Sequence, residues 1–387
     1  MNIFKNKKST TNCRDKVVRL MLLGLVTALS PISIASAQDW TFEPVFKVGG
    51  ESDDNADLAI FTAQEFEVTG WVAEASGKVG YQSAISNFSL TPRFRLRRYD
   101  VSELDSEDLF VVGDFRRRFQ SSTFGIRANY EEESVRTAER DDSDLDVEEI
   151  DDITNDGNGL VQLAGSRNKL RLRPSWSYGL SNISSLGVSL DYFDVSYDES
   201  IDDLLNDYRD ARLEFGYEYD FSSRNRGIIR ASGRDFQSDR VTQDFDGTRL
   251  MAGVQHAFSE TTELRVLLGV ESVDFASGNA STERETVGEV TLSRRLETIS
   301  ILAGYRRAVT ASGSRPTVRD NINLNFTRQL TDTVSAGLGA RAYQATDLTG
   351  GSSFERNYIQ LRGTLGLSIT PVLDILFDYR HTILAVS

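Results

Sequence analysis

Apolar and polar positions alternate along most of this chain. In LRLRPSWSYGLSNISSLGVSLDYF (Leu170 to Phe193), Leu170, Leu172, Pro174, Trp176 and Tyr178 share one parity, and Lys169, Arg171, Arg173, Ser175 and Ser177 share the other. After Ser181-Asn182 the alternation resumes with Leu186, Val188, Leu190 and Tyr192. Leu90, Pro92, Phe94 and Leu96 oppose Thr91, Arg93, Arg95 and Arg97 in the same way, and Leu213, Phe215, Tyr217 and Tyr219 oppose Arg212, Glu214, Glu218 and Asp220. A period of two marks a strand with two unlike faces. A helical period fits none of these windows.

Extending the pattern predicts strands over 40–49, 67–84, 88–98, 109–119, 122–133, 167–180, 184–197, 207–221, 226–237, 246–258, 263–275, 284–296, 298–308, 318–330, 333–345, 356–369 and 373–384. Most are much longer than the roughly 5–6 residues usual in soluble proteins and suit a tilted bilayer crossing of about 9–11 residues. Their connections alternate between short turns such as LSN, SETT and LTD and long acidic segments such as Gly50 to Gln64 and Val135 to Arg167. A soluble β-sandwich or β-solenoid needs neither feature. The expected fold is therefore all-β: a transmembrane antiparallel up-and-down β-barrel of 16–18 strands, with short periplasmic turns and long acidic extracellular loops. Closure is expected because an open edge in hydrocarbon leaves backbone groups unpaired. Single-chain bacterial barrels have even strand numbers, so 16 or 18 is expected, and residues 159–165 (GLVQLAG) are the candidate extra strand. Trp40, Trp176, Tyr178, Tyr217 and Tyr219 would sit at the membrane interface. The lumen should be wide enough for water unless loops fill it.

The first 37 residues break the pattern. Lys5, Lys7, Lys8, Arg14, Lys16 and Arg19 precede the apolar run LMLLGLVTAL, and Ala35-Ser36-Ala37 closes the segment. That order predicts a secretory signal peptide over 1–37, cleaved before Gln38, and a single domain over 38–387. Cys13, the only cysteine, falls in the removed part, so disulfides and thiolate metal sites are not expected. The whole chain carries −15, and removing six basic residues against one acid leaves −20. Such an acidic product is a poor partner for nucleic acid. No apolar run of bilayer-spanning length follows the signal.

Three stretches carry a family resemblance: GGESDDNADL (Gly49 to Leu58), the region Leu172 to Asp239, and LNFTRQLTDTVSAGLGARAY (Leu324 to Tyr343). The chain resembles the β-barrel porin family of the bacterial outer membrane, of the kind associated with exopolysaccharide or capsule export, over most of its length. The resemblance implies an outer-membrane barrel tied to surface polysaccharide, with no catalytic residues to carry over. Such proteins usually end in a strand with a terminal aromatic residue, whereas this chain ends HTILAVS.

Candidate lumen-lining residues are Arg93, Arg95, Arg97, Arg116, Arg118, Arg127, Arg171, Arg173, Arg212, Glu214, Glu218, Arg230, Arg234, Arg265, Glu289 and Arg362. Arginines here either contact an anionic or hydroxyl-rich substrate through planar donors or pair with Asp114, Glu214, Glu218, Asp220 and Glu289 across strands. The acidic run Glu139 to Asp156 lacks the glycine and distal glutamate of a calcium loop and reads as a solvated loop. His256 and His381 have no nucleophile or metal set at a telling spacing, so an enzyme is not expected, nor a cofactor. The expected role is a passive channel or scaffold in surface polysaccharide export. The alternatives are a general or solute-selective porin and a structural or adhesive barrel. Expected partners are outer-membrane lipid and lipopolysaccharide, then a polysaccharide and its export machinery.

Overall fold

The computed structural model describes residues 39–54, 67–139, 165–198, 205–239, 244–276, 282–312, 315–348, 355–370 and 372–386. The expected signal peptide, most of the acidic run Glu139 to Asp156 and, apart from Gly165, the candidate strand 159–165 lie outside them. Within the described residues the chain forms seventeen strands: β1 Asp39–Asp53, β2 Val68–Gln82, β3 Ser86–Tyr99, β4 Ser106–Arg118, β5 Ser122–Ser134, β6 Ser166–Ser181, β7 Ser184–Tyr197, β8 Tyr208–Ser222, β9 Asn225–Ser238, β10 Phe245–Ser259, β11 Thr262–Phe275, β12 Thr282–Arg295, β13 Ile299–Ser312, β14 Arg315–Thr331, β15 Val334–Asp347, β16 Glu355–Thr370 and β17 Leu373–Val386. Each predicted strand is present at its expected place. The number is seventeen among the described residues, not the even count expected. A five-residue helix, α1 (Val135–Glu139), follows β5, and a single 3-10 turn covers Ser102–Leu104.

All strands belong to one antiparallel up-and-down sheet. From β2 to β17 each strand pairs with the next in sequence, and β1 pairs with β2. Turns after even-numbered strands are two or three residues long, and the connections after odd-numbered strands are longer except the one between β13 and β14. Five of the short turns share a device. Ser181, Ser222, Ser259, Thr331 and Thr370 each end a strand, and the hydroxyl of each accepts a hydrogen bond from the backbone N–H two residues on. The register shifts at the same five residues, as a bulge placed just before each turn.

The two faces of the sheet have inverted polarity. Leu250, Val254, Leu268, Val270 and Leu338 are 55–64% exposed, whereas Arg341, Glu271, Gln360 and Arg319 are 1–3% exposed. A water-soluble fold does the opposite, because burying charge costs several kcal/mol or more and burying a leucine-sized side chain gains roughly 1.5–3 kcal/mol. The outward parity also carries Trp40, Trp176, Tyr178, Tyr217 and Tyr219, all exposed near strand ends. Trp176 stacks on Tyr178 at 5.8 Å and Trp40 lies 5.0 Å from Tyr81.

The sheet curls so that its charged face becomes an interior. Arg212 of β8 reaches Glu271 of β11 at 3.1 Å, and Arg234 of β9 donates to the carbonyl of Val309 on β13 at 2.9 Å. Those partners lie three and four strands away, beyond reach on a flat sheet with strands roughly 4.8 Å apart. α1 lies in the same interior: Arg136 contacts Asp53 of β1 at 2.8 Å, and Thr137 accepts a hydrogen bond from Arg97 of β3.

Candidate functional site

Residues of β4 to β10, β12 and β13, the charged ones mostly on the inward parity, line a half-open cavity of about 350 Å³. Its wall holds nine arginines (116, 127, 171, 173, 212, 230, 249, 306 and 307) and four carboxylates (Asp114, Asp191, Glu214 and Glu289). Each carboxylate is held by arginine. Arg127 donates to Asp114 at 3.0 Å, and Arg171 grips Asp191 through Nε and Nη2 at 2.8 and 2.5 Å. Glu214 sits between Arg249 at 3.2 Å and Arg230 at 3.7 Å, and Glu289 faces Arg265 at 3.1 Å. The bidentate Arg171–Asp191 pair fixes both partners.

At the chamber, the register sets arginines face to face at Arg127 against Arg173 and at Arg212 against Arg234. Directly opposed like charges destabilise a sheet. Carboxylates on neighbouring or distant strands offset the repulsion: Asp114 for Arg127, Glu271 for Arg212 and Asp210 for Arg234. Arg307 directs its guanidinium to Glu285 at 3.2 Å, to Asp320 at 2.5 Å and to the carbonyl of Thr286. Among the described residues, Arg116 and Arg306 have no carboxylate within ion-pair distance. The wall therefore carries more positive than negative charge, in a chain whose net charge is −15.

Of the residues named from sequence, Arg116, Arg127, Arg171, Arg173, Arg212, Glu214, Arg230 and Glu289 line this cavity. The others do not. Arg93 lies over the Phe110 ring at 4.2 Å, Arg95 pairs with Glu74 at 2.9 Å, and Arg97 pairs with Asp108 at 3.0 Å. Arg118 is exposed at the turn end of β4, Glu218 pairs with Arg226 at 3.0 Å, and Arg362 is paired with Asp378 at 2.7 Å. Arg234 pairs with Asp210, and Arg265 forms an ion pair with Glu289 from outside the lining set. Sequence reasoning missed Arg249, Arg306 and Arg307. Arg249 shares its parity with Met251 and Gly253, which blurs the polar face, and Arg306 and Arg307 are adjacent, so alternation cannot choose between them. His256 Nδ1 donates a hydrogen bond to Asn225 Oδ1 at 2.7 Å, and its ring meets Phe258 edge-on at 4.6 Å.

Towards the loop end the interior turns apolar. Phe193, Tyr208, Phe236, Phe245 and Phe275, one from each strand from β7 to β11, form successive ring contacts with centroids 6.0, 5.8, 4.9 and 6.0 Å apart. Val135 of α1, Val195, Leu205, Val273, Val309 and Val318 pack with them, all buried. A smaller apolar set, Ile228, Met251, Leu267 and Val287, lies level with the chamber, where Met251 faces Arg230 and Leu267 faces Glu289 across the register. Along β10, Phe245, Gly247, Arg249 and Met251 follow one another on the interior face, so the aromatic level lies on the loop side of the basic chamber.

No protein-family model matches the chain, and no curated protein matches it. Among solved structures, the chain is similar to BauA, the ferric preacinetobactin receptor of Acinetobacter baumannii, with 10% identity, 88% of this chain and 62% of that chain covered, and a TM-score of 0.44. It is similar to the FrpB iron transporter of Neisseria meningitidis, with 8% identity, 94% and 64% coverage, and a TM-score of 0.44. It is also similar to OpdO of Pseudomonas aeruginosa, with 11% identity, 90% and 92% coverage, and a TM-score of 0.44. The chain spans 62–64% of the length of the first two.

Proposed function

We propose that residues 38–387 form an outer-membrane β-barrel whose interior is a passive path for hydrophilic solutes, and that residues 1–37 are the signal that exports it. The observation that carries this reading is the inverted polarity of a single up-and-down sheet: leucines, valines and aromatics face outward, and arginines and carboxylates face inward. Lipid is the solvent that rewards such an exterior, and water in a lumen is the one that tolerates such an interior. The resemblance of Leu172 to Asp239 and of Leu324 to Tyr343 to barrels associated with exopolysaccharide export supports a role as channel or scaffold in that export. The partners are then lipopolysaccharide on the outside and the export machinery on the periplasmic side. A second reading, a structural barrel without transport, draws support from the aromatic row from Phe193 to Phe275, most of it buried, at the loop end.

The test is single-channel conductance of the refolded mature chain in a planar bilayer, at low and high salt. Stepwise, reproducible current is the expected outcome. A protein that inserts and stays silent would favour the structural barrel, and one that never inserts would overturn the membrane reading altogether.

A further inference from the structure

We infer that the basic chamber is a binding site for an anionic solute, one carrying carboxylate or phosphate groups on a hydrophilic frame. The inference deepens the channel reading and rests on it for access from water. Three observations carry it. Arginine exceeds carboxylate nine to four on the wall. The four carboxylates are already engaged by Arg127, Arg171, Arg249 and Arg265, so they do not repel an incoming anion with their full charge. Arg116 and Arg306, on β4 and β13 at the two flanks of the lining set, have no carboxylate partner among the described residues. Their guanidinium forks match the geometry of carboxylate and phosphate oxygens, which a lysine-lined wall would not. The apolar level on the loop side strengthens charge interactions beside it, because field lines concentrate near a low-dielectric wall. A neutral sugar gains hydrogen bonds from such a wall but leaves its excess charge unmet.

The experiment measures binding to the detergent-refolded mature chain by calorimetry with three probes: trigalacturonate, tripolyphosphate and neutral maltotriose. Binding of one or both anions and none of maltotriose is expected, and whichever anion binds tells carboxylate from phosphate. Arg116→Glu with Arg306→Glu should weaken that binding by about tenfold or more, equivalent to about 1.4 kcal/mol. Neither substitution strips a carboxylate of its partner, and Arg116→Gln with Arg306→Gln serves as the milder variant, with circular dichroism checking that all are folded. Equal binding of maltotriose, no anion binding, or anion binding unmoved by charge reversal would overturn the inference. Reversal potential in a potassium chloride gradient separates it from the channel reading. A cation-selective current would sink the anion site and leave the channel, whereas anion binding in a chain silent in bilayers would do the reverse.

Discussion

Several guanidiniums buried inside this sheet share their site with a carboxylate. Arg234 and Asp210 are the clearest case, with side chains 4% and 5% exposed. Arg234 Nε donates to both carboxylate oxygens at 2.9 and 3.0 Å, Nη2 also donates to Oδ2, and Nη1 reaches the Val309 carbonyl. Removing one member of a buried pair leaves the other charge uncompensated, which typically costs about 3–5 kcal/mol. Asp210→Asn should therefore lower the urea midpoint of the refolded protein, measured by tryptophan fluorescence, far more than Asp220→Asn. The pair of Asp220 with Arg226 has side chains 32% and 39% exposed, where water screens it. That these arginines face inward was readable from parity. Their partners were not, because Arg212 and Glu271 are 59 residues apart and meet only across the curled interior.

The strands themselves were legible because a period of two is a local property. Every strand from β1 to β17 falls on an alternating run, and the hydroxyl-bearing residues that close five turns stand in the sequence at those turns. The helix α1 was not legible: at five residues, inside a segment read as loop, it is too short to express a helical period. Glycines in β10 and β11 carry a constraint that periodicity does not express. A Cβ on Gly269 would lie 2.0 Å from the Leu250 carbonyl oxygen and one on Gly253 would lie 1.9 Å from that of Val266, on the partner strand in each case. Gly187, in β7, would meet nothing within 4 Å. Gly269→Ala should force β10 and β11 apart at roughly 1–3 kcal/mol and reduce refolding yield in detergent, while Gly187→Ala should refold like the parent chain. Equal yields would mean that the two strands can shift without loss.

At the scale of the whole molecule, interior charge and interior apolar surface are stacked in levels. The aromatic row at the loop end spans five consecutive strands, and Phe236 stacks on Phe245 at 4.9 Å with an interplanar angle of 22°. Apolar constrictions resist water and ions when narrow. Phe236→Ala together with Phe245→Ala should raise single-channel conductance about twofold or more, since the passage widens and its wall loses the surface that excludes water. Unchanged conductance would place the narrowest point elsewhere, and the chamber itself would be next to probe.

The order of apolar and polar residues by itself determined where the strands run, how long they are, which face meets lipid-like surroundings and which end has tight turns. Each of these depends on neighbours within a dozen residues, and the pleat translates them into faces directly. Only the tertiary structure decided that Arg249, Arg306 and Arg116 share one chamber, that Asp191 and Glu214 neutralise part of it, and that Phe236, Phe245 and Phe275 interrupt the charged face with an apolar level. The physical reason is curvature. Alternation assigns a side chain to the inside but is blind to which residues meet across the interior, and that follows from how the strands are staggered and how tightly the sheet curls.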